Sequence, residues 1–284
     1  MRKYTFLMMM VLLIVFSAAC GKNEEKGTHE GHGTKQEKSH EGHSEMKESH
    51  EGHNMSSSEA YAKWSFSDAE AGKISEIKIT IQDKSRKPIN DYKTQHEKKL
   101  HLIVVSKDLS YFHHIHPEFK GDGTFTVSNT FPKGGEYKLI ADFVPAGGEE
   151  VTLTEWLEVK GDKAENKLIK PDGELVKEAD GKQVELTFPD GNPKAGEETK
   201  LTFTINENGK PVINLQPYLG AVGHVVILSE DTENYLHVHP LDESAKGPKA
   251  EFATTFPKKG VYKIWGQFQQ DGELFITDYT IEVN

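Results

Sequence analysis

The sequence predicts an all-β chain: two tandem antiparallel sandwiches behind an N-terminal leader and a polar tether. Three observations carry that prediction. A stretch of about 100 residues occurs twice. Short runs alternate apolar and polar residues between turn dipeptides, and no window of twelve or more residues has helical periodicity. The length of 284 residues suits about two domains. Only 35% of residues are hydrophobic, below the roughly 45–50% of globular chains, so part of the chain forms no core.

That part begins with residues 1–19, expected to be a signal peptide. Arg2 and Lys3 form a basic start, Tyr4 to Phe16 is almost wholly apolar, and Ser17-Ala18-Ala19 supplies small residues for a peptidase. The run falls short of the roughly 20 apolar residues of a comfortable membrane-spanning helix. Cys20 follows directly. Ser-Ala-Ala-Cys-Gly resembles a bacterial lipoprotein signal, although Ser17 stands where that family favours Leu. The resemblance implies that Cys20 is lipidated and becomes the first mature residue, anchored at the outer face of the bacterial cell membrane. Acyl chains supply about 0.8 kcal/mol per buried CH₂, enough for anchoring when more than one is attached. The alternative is a secreted protein with a chance cysteine. Cleavage changes the Lys+Arg to Asp+Glu balance from 34 − 45 = −11 to 32 − 45 = −13.

Residues 20–60, Cys20 and the tether after it, contain almost nothing apolar and should not order. Within them a motif occurs three times, as His29-Glu30-Gly31-His32, His40-Glu41-Gly42-His43 and His50-Glu51-Gly52-His53. Histidines at i and i+3 around a flexible Gly can close on one ion, and neutral imidazole suits Zn²⁺, Cu²⁺ and Ni²⁺. Three copies favour metal contact over a solvated spacer. Met46 and Met55 add soft ligands. Ordering entropy opposes binding in such a segment, so affinity should be modest and stoichiometry loose.

The duplicated part divides into a first sandwich at 61–160, a linker at 161–180 and a second sandwich at 181–284. Lys87-Pro88-Ile89 matches Lys210-Pro211-Val212, and His101-Leu102-Ile103-Val104-Val105 matches His224-Val225-Val226-Ile227-Leu228. Phe112-His113-His114-Ile115-His116-Pro117 matches Tyr235-Leu236-His237-Val238-His239-Pro240, and Phe131 to Lys138 matches Phe256 to Lys263. Ile77 to Ile81 and Leu201 to Ile205 alternate as half-buried strands do, and Asn208-Gly209 and Asp271-Gly272 are hairpin turns. Strands of this length and spacing predict immunoglobulin-like sandwiches. The matched motifs resemble the YtkA-like domain of bacterial secreted proteins and lipoproteins. That resemblance implies an immunoglobulin-like fold and extracytoplasmic metal or redox housekeeping, without a reaction.

Within each repeat the spacing places three histidines together. Runs 101–106 and 111–116 flank Lys107-Asp108-Leu109-Ser110, a plausible hairpin loop, so paired positions sum to 217. His101 then faces His116, and Ile103 faces His114. Strand alternation puts His101, His114 and His116 on one face with Ile103, Val105 and Phe112. The second copy repeats this with His224, His237 and His239, so about two ions are expected, held by the triplets separately or across a domain interface. His113 has the opposite parity, is Leu236 in the second copy, and is excluded as a ligand. The other reading of His-x-His-Pro is a surface hydrogen-bonding group whose Pro stops the strand.

Other chemistries drop out. An acidic chain with two arginines, Arg2 and Arg86, lacks the basic face nucleic acid needs. One cysteine excludes internal disulfides, Cys-ligated zinc, iron–sulfur centres and blue copper. His96-Glu97-Lys98-Lys99-Leu100-His101 is one residue too long for the zinc-protease motif. No nucleophile elbow or phosphate loop occurs, so an enzyme is not expected. The function expected is copper or zinc capture, tolerance or delivery by a membrane-anchored lipoprotein. Its partners would be transition-metal ions, the membrane, and a membrane transporter or oxidase. Copper is favoured by the absent cysteines, the exterior location and the tether methionines. The alternative is a tandem immunoglobulin-like binding or adhesion module whose tail alone scavenges metal.

Overall fold

The structure, a computed structural model, describes residues 60–67, 69–163 and 168–284, with His237 described as backbone alone. Cys20 and the tether histidines His29, His32, His40, His43, His50 and His53 lie outside the described residues. The first repeat contains β1 (Ala60–Phe66), β2 (Ile74–Asp83), β3 (Tyr92–Lys93), β4 (Leu100–Ser106), β5 (Phe112–Ile115), β6 (Glu118–Gly121), β7 (Thr124–Thr130), β8 (Gly135–Pro145) and β9 (Val151–Val159). The second contains β10 (Val176–Ala179), β11 (Lys182–Thr187), β12 (Glu198–Glu207), β13 (Lys210–Pro211), β14 (His224–Ser229), β15 (Tyr235–Pro240), β16 (Lys249–Thr255), β17 (Gly260–Gln270) and β18 (Glu273–Val283).

The first repeat is an immunoglobulin-like sandwich. One sheet runs β1-β2-β7-β6 and the other β5-β4-β8-β9, with β3 beside β8. These are the A-B-E-D and C′-C-F-G orders of that architecture. In the second repeat β15 pairs with β14 as far as Val225↔Val238, then crosses to β16 through His239↔Ala253 and Pro240↔Phe252. One strand therefore joins both sheets, at the His-Pro step of the repeated motif.

The alternating strands behave as their pattern requires. Ile77, Ile79 and Ile81 of β2, and Leu201, Phe203 and Ile205 of β12, are completely buried in the two cores. Asn208 and Gly209 (φ 51° and 73°), and Asp271 and Gly272 (φ 51° and 82°), are both left-handed, the conformation of two-residue hairpin turns. The matched Phe-Pro-Lys segments have a structural reason. Tyr137 Oη donates to Lys133 O at 2.8 Å and Tyr262 Oη to Lys258 O at 2.9 Å. Each is a tyrosine corner entering strand F, packed on Phe131 or Phe256. Tyr262→Phe is expected to cost about 1 kcal/mol, lowering the melting temperature by about 2–8 °C. An unchanged calorimetric melting temperature would dismiss the corner as a stabilising element.

Residues 161–180 are not a free linker throughout. β10 pairs with β11, and Asp172 bonds Thr280 twice, through its backbone N to Thr280 O and through its Oδ2 from Thr280 N, both at 2.8 Å. The second folded repeat therefore reaches back into this stretch, because an edge hairpin satisfies backbone groups that a free linker would leave to water.

β4 and β14 do not alternate, and both of their faces are covered. Leu102 and Val104 point into the first core, and Val225 and Ile227 into the second. The intervening Ile103 and Val105, with Leu109 and Ile140, pack on Val226, Leu228 and Trp265 of the other repeat. Phe112 stacks on Trp265 with ring centroids 4.6 Å apart. Lys138 Nζ donates to Thr232 O at 2.7 Å, and Tyr235 Oη to Asp142 Oδ2 at 3.2 Å. The two repeats thus meet through the outer faces of their C′-C-F sheets. The apolar layer below the histidines is this inter-repeat contact.

Candidate metal centre

The hairpin register agrees with the spacing argument. Leu102↔Ile115, Ile103↔His114, Val104↔His113 and Val105↔Phe112 all sum to 217. β4 and β8 add His101↔Asp142 and Ile103↔Ile140. Along the outer face, the polar row of His101 and Asp142 therefore lies beyond the apolar row of Ile103 and Ile140. In the second repeat His224↔Gln267 and Val226↔Trp265 form corresponding rows.

His101, His114 and His116 come together, with one ligand nitrogen from each lying within 4.8 Å of the others. His101 and His114 are buried, at 2% and 8% exposure. Their protonation follows from their partners. His101 Nε2 lies 3.0 Å from Gln95 O; a carbonyl only accepts, so Nε2 donates and Nδ1 carries the lone pair. His114 Nδ1 lies 3.2 Å from Gln267 Oε1, and with Nδ1 donating there Nε2 carries the lone pair. His101 Nδ1 and His114 Nε2 are 3.0 Å apart, so a shared proton or a metal ion between them would satisfy both nitrogens. His116 Nε2 is buried with no hydrogen-bond partner among the described residues. Burial first, then the Lys98 charge, pushes His116 down to about 4, which keeps this imidazole neutral and able to ligate.

Gln95 is placed by a two-residue turn. Gln95 and Lys98 exchange backbone bonds of 2.8 Å each, while His96 and Glu97 adopt φ of 44° and 65°. The second repeat has the same turn at Tyr218 to Ala221, with Leu219 at φ 54° and Gly220 at 79°. His96 therefore stands where the second repeat has Leu. Its ring centroid is 6.1 Å from His101, 5.6 Å from His224 and 6.0 Å from His239. The segment His96 to His101 is a turn and the start of a strand, which supports its exclusion as a helical protease motif.

Of the second triplet, His224 lies against the first. His224, 4% exposed, sits 4.8 Å from His114 and lies parallel to His101 at 5.8 Å, centroid to centroid. His239 is exposed where β15 changes sheet, and His237 is paired to Val226 through its backbone. The opposed outer faces carry His224 to the first triplet. His113 is exposed and its Nδ1 lies 2.8 Å from Asn129 Oδ1, away from the cluster. Sequence reasoning missed His96, Gln95 and Gln267. The signal for Gln267 was its register beside His224, which needs the strand pairing; only the non-alternating runs at 101–105 and 224–228 hinted that the outer faces were covered.

Fold and site together define a tandem immunoglobulin-like β-sandwich chain with a histidine cluster where its repeats meet. The chain belongs to the family described as Domain of unknown function (DUF8832), whose model matches residues 56–161 and again 177–284. No curated protein matches. Among solved structures, the chain is similar to the Escherichia coli adhesin FdeC, at 15% identity and TM-score 0.26, covering 82% of this chain and 66% of that one. A two-domain fibronectin type III segment of chicken tenascin has 12% identity and TM-score 0.23, covering 78% and 98%. The fibronectin(III)-like modules of Clostridium thermocellum CbhA have 16% identity and TM-score 0.22, covering 78% and 93%.

Proposed function

We propose that this chain binds a transition-metal ion at His101, His114 and His116, without catalysis of its own, and serves metal capture or delivery. The observation that carries it is the convergence of three ligand nitrogens within 4.8 Å of one another, with His116 Nε2 buried and without a hydrogen-bond partner among the described residues. Gln95 O and Gln267 Oε1 act as the outer acceptors that fix a ligating imidazole's tautomer.

Copper is favoured over zinc. An ion about 2.0–2.1 Å from both His101 Nδ1 and His114 Nε2 would see them at about 94°, nearer the 90° of tetragonal Cu²⁺ than the tetrahedral angle of Zn²⁺. Lipidation at Cys20 would hold the chain at the outer face of the cell membrane, and the three His-Glu-Gly-His copies would gather ions loosely for the ordered site. The resemblance of both repeats to YtkA-like domains is consistent with that extracytoplasmic setting. A membrane transporter or oxidase would be the recipient.

The test uses the full chain with His29, His32, His40, His43, His50 and His53 changed to alanine, so that the tether cannot contribute. Calorimetry with Cu²⁺ should give one tight ion per chain. Its paramagnetic resonance spectrum should carry hyperfine structure from at least three nitrogens. A chain that binds no Cu²⁺ or Zn²⁺ would leave the cluster as a hydrogen-bonding element of the repeat contact.

A further inference from the structure

We propose that the second repeat completes the centre of the first: His224 supplies a fourth imidazole, Gln267 positions His114, and a bound ion fastens the two repeats together. This rests on the metal site proposed above.

Gln267 lies on β17 of the second repeat and is completely buried. Its Oε1 reaches across to His114 Nδ1, while its Nε2 has no hydrogen-bond partner among the described residues. A buried amide half satisfied in this way is costly, and the contact it does make is with a ligand of the other repeat. His224 is buried as well, and its ring is closer to His114 than the His101 ring is, at 4.8 Å against 5.2 Å. Three histidines on one hairpin edge leave an ion short of the four ligands usual at a closed site, and His224 stands on the open side. The turn tips also lie together, since a Cβ at Gly220 would come 3.7 Å from Glu97 Cγ. Among the described residues, the apolar contact between repeats is small, with seven buried side chains. An ion held from both sides binds the closed pair more tightly than the parted one, and so shifts the population towards closure.

The experiment uses the full chain with the six tether histidines changed to alanine, Cu²⁺ as probe, calorimetry for affinity and hydrogen exchange for closure. Gln267→Leu and His224→Ala should each weaken binding about 10–100-fold. Gln267→Glu should keep it, because a carboxylate accepts from His114 Nδ1–H, and the first repeat has Asp142 at the equivalent register beside His101. A merely structural Gln267 would give the reverse order, since a buried carboxylate disturbs packing more than leucine does. Should His224→Ala not fold, the Gln267 pair decides alone. Cu²⁺ should slow exchange in both β4–β5 and β14–β15. Slowing confined to the first repeat, or unchanged affinity in Gln267→Leu, overturns the shared centre while leaving the three-histidine site standing. No binding by the parent chain overturns both.

Discussion

Replacing His101, His114 and His116 together by alanine, in the chain whose tether histidines are already gone, is expected to weaken Cu²⁺ binding by more than about 100-fold. The loss should exceed the roughly 10–100-fold that an outer partner costs, because the ligands themselves are removed. The chain should still fold. The imidazoles lie on the outer face of the first sandwich, and their removal leaves the Ile77, Ile79 and Phe125 core untouched. Each lost hydrogen bond costs only about 1 kcal/mol. His113→Ala is the matched control: it sits between two of the changed residues in the chain but faces Asn129, so affinity should stay at the parent value. Retained tight binding in the triple variant would assign these imidazoles to packing, and would favour the binding-module alternative with a scavenging tail.

Phe268→Ala is expected to have the largest effect on stability, about 3–5 kcal/mol, lowering the melting temperature by roughly 10 °C or more. The ring is completely buried and packs at centroid distances of 5.3 Å from Phe203 and 5.7 Å from Phe275. Its space is held open by Gly223, where a Cβ would come 2.5 Å from Phe268 Cδ1. Phe268 also follows Gln267 in β17 and points to the opposite face, so its loss loosens the strand that carries the amide to His114. Metal affinity should fall with stability, and the two losses can be read in one titration series by calorimetry and thermal melting. Leu168→Ala, at 87% exposure, should stay within about 0.5 kcal/mol of the parent. A Phe268→Ala chain that melts at the parent temperature would contradict this account of the second core.

Much of the fold was legible because its signals are local. Alternation in β2 and β12 follows from one buried and one exposed face, and the Asn-Gly and Asp-Gly turns from backbone that must be left-handed. The hairpin register came from loop length, and with it the common face of His101, His114 and His116. β10 lies within 161–180 and carries no sequence signal of its own, because it is a short edge strand whose pairing depends on residues after it. His96 was considered only as part of a helical motif. Its role comes from a strand-entry turn that the second repeat builds with Leu219 and Gly220.

The sequence by itself determined that this is a repeated antiparallel β chain, with three histidines gathered on one face of each hairpin. Tertiary structure decided what the outer face of the first set meets. Strand periodicity says which side chains share a face, but not what that face meets. The facing partner depends on how one sandwich folds back on the other, across more than 100 residues of chain. Packing the apolar outer faces of β4 and β14 against each other brings His224 and Gln267 to His114.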